Sequence, residues 1–358
     1  MNTDFSLSAT DFYKTVRTRV TDYMSSRDIS RFGNANMVLK TIFMFTVYFL
    51  PFALIISNVI TSFWAVAIAY FIMGLGMAGI GLCVMHDANH GAYSKNKNVN
   101  TIIGHVISLI GGHSVNWKIQ HNVLHHSYTN VDGMDDDIDI GKIMRFSPNQ
   151  ERLGIHRIQH IYAWFLYTLM TLMWCTTKDF QGIVKYKKEG LLKGQKTSLG
   201  KELVMISILK IVYFMYILVI PMIFMAGPWW YALIGFGIMH MVAGFILSSI
   251  FQPAHVLETS DFIKPEENKK IVQNWAVHQL RTTTNFGTKS RIFTWLVGGL
   301  NYQIEHHLFP NICHVHYWKI SKIVRETAQE FNLPYNVEPT FLTALISHGR
   351  MLRKLGRA

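Results

Sequence analysis

Charge is scarce along this 358-residue chain: only 16% of its residues are Asp, Glu, Lys or Arg, while half are hydrophobic. That balance excludes an ordinary soluble protein of this size. Cysteine is scarcer still. Cys83, Cys175 and Cys313 lie far apart with no paired spacing, which excludes both a disulfide framework and a zinc knuckle. Acidic side chains are outnumbered, 22 against 34 basic ones, for a formal net charge of +12. The basic residues are spread over every polar segment and no nucleic-acid motif accompanies them, so they read as membrane anchors on the cytoplasmic side. The first 36 residues contain no short basic segment running into an apolar core, and no cleavable signal peptide is expected. Internal repeats, coiled coils and low-complexity linkers are missing too, so residues 1–358 read as a single domain.

What the chain does have is long apolar tracts, each about 20 residues and long enough to cross a bilayer. Residues 1–40, with Lys14, Arg17, Arg19, Arg27, Arg31 and Lys40, form a cytoplasmic arm carrying an interfacial helix. Residues 41–85 make a first transmembrane hairpin that turns at Thr61-Ser62. Gly74, Gly76, Gly79 and Gly81 in its second limb read as close helix contact without chemistry. Residues 86–201 return to the first side, and Ile161–Cys175 within them is too short and interrupted to span, hence interfacial or half-buried. A second hairpin covers residues 202–251, turning at Gly227-Pro228, with Trp229, Trp230 and Tyr231 as an aromatic belt at the far interface. Its His240 lies at depth and reads as a neutral imidazole bonded to a neighbouring helix. Residues 252–358 complete the cap. Segment 91–201 is rich in Lys and Arg and the turns near Thr61 and Gly227 have none, which makes the first side cytoplasmic. The expected fold is an all-α integral membrane protein, with about four transmembrane helices in two hairpins, interfacial helices, and a cytoplasmic helical cap holding a di-metal site.

Three histidine clusters stand beside these tracts: His86-Asp87-Ala88-Asn89-His90, Gln120-His121-Asn122-Val123-Leu124-His125-His126 and Gln303-Ile304-Glu305-His306-His307. On an α-helix His121 and His125 share a face, while His126 is turned roughly 100° away, so one helix can serve two ions. A lone histidine pair on a helix is usually an ordinary polar residue; three clusters at span ends point to metal. The seven box histidines and His255, at the end of the fourth span, make eight ligands, and one zinc takes about four. Two metals are therefore expected. Imidazole alone does not choose among iron, copper, zinc and nickel. A nitrogen-rich, thiolate-poor site at a lipid boundary suits iron handling oxygen better than an iron–sulfur cluster.

HDANH, HNVLHH and QIEHH resemble the three histidine boxes of the integral-membrane fatty acid desaturases. The glutamine that opens the third box resembles the acyl-CoA and acyl-lipid branch with the front-end and linoleoyl-CoA types. The likeness extends to Thr129-Asn130 through Asp139, to Gln252-Pro253-Ala254-His255 and to Trp275 through Phe286. It implies that His86, His90, His121, His125, His126, His255, His306 and His307 ligate two irons, with dioxygen as co-substrate. Gln303 stands where other desaturases have a histidine and is either a weak ligand, a holder of bound water or a supporting residue. Asp135 and Asp137 match acidic positions that orient ligating imidazoles; a solvated acidic loop over Met134–Asp139 is the alternative. Asp87, Asn89 and Glu305 are further supporting candidates. The resemblance also implies a fatty acyl substrate, as acyl-CoA or acyl-lipid, in a narrow apolar tunnel. Trp117, Trp275 and Phe286 are its candidate walls, although each also reads as ordinary core. No His-Pro-Gly-Gly haem signature is present, so a separate electron donor is expected, a ferredoxin or a cytochrome-b5-type protein. The basic face can steer such an acidic partner or bind anionic lipid or the phosphates of coenzyme A.

Two rivals remain open on sequence. Membrane alkane and carotenoid hydroxylases share clustered histidines and two irons, and Asn301–His307 faintly resembles their pattern. A metal-ion transporter is the other, but its sites belong at the bilayer midplane on broken helices, whereas these histidines gather at span ends.

Overall fold

The computed structural model describes residues 5–265 and 274–358; the first four residues of the expected arm and residues 266–273 of the expected cap lie outside the described residues. The arm is a helix, α1 (Phe5–Ser26). Phe12, Val16 and Val20 on one face of it are buried in the cap, so its apolar side is taken by protein and not by the membrane surface that the sequence suggests.

Among the described residues four helices are long and apolar enough to cross a membrane: α2 (Ala35–Ile56), α3 (Phe63–Asn89), and two later ones at Leu199–Phe224 and Trp230–His255. The first is capped by Asn34, whose side chain accepts from the backbone of Asn36 and Met37. It begins six residues before the expected Thr41 because Lys40, only 1% exposed, is taken into the interior by a 2.6 Å contact between its Nζ and His314 Nε2. A charge that finds a partner does not end the span. Likewise α3 runs past Met85 and through the first histidine box.

After α3, residues 114–128 form α4, which carries the second box. The expected interfacial segment is α5 (Gln159–Thr168) followed by further helical turns. Ile161 and Phe165 face outward while Ala163 and Tyr167 are buried in the cap, the division a half-buried helix requires. The other two spans are α6 (Leu199–Phe224) and α7 (Trp230–His255). Shares of 78% and 56% of their apolar stretches buried make α3 and α7 the inner pair, whereas 28% and 22% put α2 and α6 outside. Close approach defines the inner contacts. A Cβ at Gly74 would lie 2.7 Å from the Met239 carbonyl oxygen, and one at Gly76 2.6 Å from the Tyr48 nitrogen, so both glycines serve helix contact. Trp229 and Trp230 are exposed at the end remote from the histidines, with Phe63 against Trp230 and Tyr231, as an aromatic belt requires.

The cap continues through α8 (Arg291–Leu296), α9 (Gln303–Leu308) with the third box, α10 (Tyr317–Glu330) and α11 (Phe341–Leu355). Among the described residues strand structure is limited to a parallel two-residue pair, β1 (Asn285–Phe286) and β2 (Val337–Glu338), and an isolated bridge. The α8–α9 turn reaches the inner span through Gly298, at φ +64°, where a Cβ would press on the Leu82 carbonyl oxygen and lie 3.0 Å from Cys83 Cα. Both the left-handed backbone and the contact require glycine. Gly298→Ala is expected to cost roughly 1–3 kcal/mol, read as a lower melting midpoint of the solubilised protein. Gly237→Ala, where a Cβ would meet nothing within 4 Å, is expected to leave the midpoint alone; equal effects of the two would refute the account.

Candidate metal centre

The boxes are positioned by departures from regular α-helix. In α3 the winding widens to π over Ile80–Met85 immediately before His86, and in α4 it is π over Lys118–His125. A π-turn bonds residue i to i+5, so it brings residues five apart over one another. His126, placed on the opposite flank by ideal α geometry, thereby returns over His121, and their Nε2 atoms lie 3.2 Å apart. His121 joins His86, His90 and His306, and His125 joins His255 and His307, yet ligand atoms of His121 and His125 also lie within 4.8 Å of each other and of Asp137.

Three groups of imidazoles have ligand atoms within 4.8 Å of one another: His86, His90, His121 and His306; His125, His255 and His307; and His126, His306 and His307. All eight histidines singled out from sequence thus come together at one end of the bundle, seven buried and His90 half-buried. His86 Nε2 lies 3.1 Å from His121 Nε2, and His126 Nε2 lies 3.0 Å from His306 Nε2 across 180 residues of chain. His126 sits between the first two groups, with its ring stacked on that of His307 at 4.4 Å.

Four of the outer nitrogens have partners, whereas the Nδ1 atoms of His86 and His126 are buried without one. His125 Nδ1 donates to both oxygens of Asp135 at 3.1 Å, His255 Nδ1 to the Thr282 carbonyl at 3.1 Å, and His307 Nδ1 to Gln279 Oε1 at 2.7 Å. His306 Nδ1 lies 3.2 Å from the Tyr317 hydroxyl. A proton fixed on Nδ1 leaves Nε2 as the lone-pair atom. The Nε2 atoms of His90, His255 and His307, and both amide atoms of Gln303, are buried without a hydrogen-bond partner. Leaving one buried polar atom unsatisfied costs roughly 1–3 kcal/mol, and here the atoms are concentrated where imidazoles converge. A donor set of this kind fits divalent transition metals.

Burial, reinforced by neighbouring imidazoles, holds His121, His126, His306 and His307 well below the usual histidine range. Their neutral form is the one a metal needs. His125 differs: burial pushes it down, but Asp135 and then Asp137 outweigh that and raise it to about 9. Glu305 is pushed up to about 7 by burial, against the pull of Tyr335 and Asn285.

The supporting candidates separate. Asp135 is fully buried and also accepts from the backbone of Asn130 and Asp137 at 2.9 and 3.0 Å, so at this position the acidic loop is not solvated. Asp137 is partly exposed and 3.3 Å from His125 Nδ1. Asp136 turns away to Lys185 and Tyr186. Asp87 lies 3.7 Å from His86 Nδ1 but accepts mainly from His314, at 2.8 Å from the ring. Asn89 and Glu305 touch no box histidine: Asn89 donates to the Gly104 carbonyl, and Glu305 accepts from Asn285 and Tyr335. Trp117 packs its ring 4.5 Å from that of His121, and Trp275 donates to the His126 carbonyl at 3.0 Å. Phe286 stacks among Phe293 and Phe341, away from the imidazoles. Sequence reasoning missed Gln279, Tyr317 and His314. The first lies inside the quoted Trp275–Phe286 stretch; the other two follow the third box with no local signal.

The family model described as fatty acid desaturase matches residues 61–339. The chain is 34% identical to the sn-1 linoleoyl-lipid 6-desaturase of Synechocystis sp., over 97% of this chain and 96% of the relative. It is 35% identical to the protein of the same name from Arthrospira platensis, over 96% and 92%. With the acyl-lipid (8-3)-desaturase of Physcomitrium patens it shares 36% identity over 97% of this chain and 72% of the relative.

Asp135→Asn keeps the size of the side chain but removes the charge facing His125. Metal affinity is expected to fall about 10- to 100-fold, measured as metal per chain after competition with a graded chelator. Asp132→Asn, whose carboxylate serves Ser147 and Asn149, is the control. Equal retention in both variants would rule out an orienting role for Asp135.

Proposed function

The chain belongs to the fatty acid desaturase family, and we propose that it inserts a double bond into the acyl chain of a lipid at a pair of irons, using dioxygen and electrons from a separate redox protein. The observation that carries the metal assignment is the convergence of eight imidazoles, four of them held at the outer nitrogen by a partner, around several inner nitrogens that have none. His86, His90, His121 and His306 would hold one ion, and His125, His255 and His307 the other, with His126 between them. Gln303, buried with both amide atoms unpartnered, is assigned to hold solvent beside the second group.

Removing hydrogen from an unactivated C–H bond is beyond side-chain acids and bases. The irons, when bound, supply the oxidant: dioxygen, two electrons and two protons take two hydrogens from adjacent carbons and leave a double bond and two waters. The chain's own residues orient and shield. Asp135, Gln279 and the Thr282 carbonyl keep protons on the outer nitrogens, and burial of the imidazoles keeps bulk water from the reacting carbons.

The four apolar helices make this a membrane protein. One desaturase domain across residues 1–358 divides into the arm (1–40), first hairpin (41–85), box-bearing segment (86–201), second hairpin (202–251) and cap (252–358). We place the arm, the cap and the histidines on the cytoplasmic side, because segment 91–201 is basic. There a ferredoxin or a cytochrome-b5-type donor can reach them.

The relatives' names favour a polyunsaturated acyl chain in a lipid as substrate, with the new double bond at carbon 6 of a linoleoyl chain. The test is expression in a host that lacks polyunsaturated lipids, fed linoleate, with double bonds located by mass spectrometry and iron measured on the purified protein. A triene with two irons per chain is expected. Alcohols would instead indicate a hydroxylase, and active protein devoid of iron would overturn the metal assignment.

A further inference from the structure

A cavity of about 450 Å³ opens on the outer flank of the first box, between the start of α2, the turn before and along α8, and the start of α10. Four cationic side chains line it: Lys40, Lys289, Arg291 and Lys319. Among the described residues no carboxylate lines it, and none of the four pairs with one. Aromatic faces hold the charges instead. The Arg291 guanidinium sits 4.3 Å from the Trp318 ring, and the Lys40 ammonium 5.2 Å from that of Trp295.

Lys40 makes the cavity more than a basic surface. It is 1% exposed, and its ammonium reaches a carboxylate only through His314, which bonds to Asp87. A buried cation is costly without a close counter-charge, and three further cations around the same space add repulsion. An anion with several acceptor oxygens would relieve both. The combination of an arginine fork with lysine point charges is the one that recognises phosphate.

The mouth is bordered by exposed apolar side chains. Ile292, at 76% exposed, and Leu296 project from α8, and Val38, Leu39 and Ile42 from the adjoining turns of α2. The inner wall is His314, joined through Asp87 to the flank of His86. A molecule held here keeps its polar end at headgroup depth, beside the histidines.

We propose that this cavity binds the phosphate of the molecule that carries the acyl chain, a glycerophospholipid headgroup; the identification of that molecule as substrate rests on the desaturase reading above. A sugar-headed lipid offers no charge to four cations, and a free fatty acid offers a single carboxylate. Coenzyme A shares the phosphate chemistry but is water-borne, whereas the mouth is flanked by lipid-facing side chains.

The test uses the full chain in dodecyl maltoside micelles, which contain no phosphate, and equilibrium dialysis with radiolabelled dioctanoyl phosphatidylglycerol. The double variant K289E/R291E changes two exposed residues and is checked for unchanged metal content and melting midpoint. Binding is expected to weaken roughly 100-fold, about tenfold for each lost charge-assisted contact, and the wild-type affinity to fall with added salt. Dioctanoyl monogalactosylglycerol should not displace the probe. Affinity unchanged in the variant, or displacement by the galactolipid at equal concentration, overturns the site. Displacement by coenzyme A at lower concentration than unlabelled phosphatidylglycerol overturns the phospholipid assignment. Because binding is read without turnover, the two readings fail separately. A wild-type chain that binds the lipid but yields no double bond in the expression host sinks the desaturase reading, and a variant with intact binding and intact product sinks the site alone.

Discussion

A lone pair buried away from water has to be claimed by something, and this constraint governs the histidine-bearing end of the protein. The acceptors that hold the outer nitrogens come from separate parts of the chain: Asp135 from the loop after the second box, Thr282 and Gln279 from the segment before β1, and Tyr317 from the start of α10. No box orients itself. His125, His255, His306 and His307 are each aimed by a segment that reaches them through tertiary structure, so the cap has to be assembled before these nitrogens converge.

Assembly of that cap depends in turn on polar ties to the spans, because lipid gives helices little hydrophobic reason to associate. The inner helices α3 and α7 are held by close contact at glycine. The outer two are held on the side of the histidines by buried charge. On α2, Lys40 engages His314. On α6, Lys210 is bonded to Asp179 and to the carbonyls of Gly111 and Trp174, and Glu202 lies 3.1 Å from His113. These ties join each outer span to cap segments within a few turns of the boxes. They also explain why charged residues sit inside helices that composition alone would end earlier.

Reading the chain as a sequence captures what depends on local composition. Apolar length reports the spans, and the density of histidine at their ends reports the boxes, because both signals lie within a few consecutive residues. What escapes is whatever depends on winding or on distant partners. The π-turns of α3 and α4 leave no mark in residue type, yet that of α4 brings His126 over His121. The start of α2 escapes because Lys40 looks like a boundary until His314, 274 residues later, is known to receive it. α1 looks interfacial because its apolar residues are scattered; α10 supplies the complementary face, and Arg19 reaches Glu330 at 2.8 Å across it. Asp135 and Asp136 are neighbours of the same chemical type, and only the fold sends one to His125 and the other to Lys185.

The histidines outside the boxes supply the contrast that gives the arrangement its meaning. His240, the one deep in a span, is bonded at both nitrogens, to Tyr213 and to Thr171. His348 is bonded to Tyr167 and the Val256 carbonyl, and His156 to the Leu153 nitrogen and the Lys142 carbonyl. Such residues have no electron pair to spare. His278 shows that spare capacity is not sufficient either: it is buried with neither nitrogen bonded, yet among the described residues it joins no group of facing ligands. In the second group the two conditions occur together, an outer nitrogen tied down and an inner one aimed at others like it. His255 and His307 meet both, although they come from the end of a span and a short cap helix more than fifty positions apart in the chain.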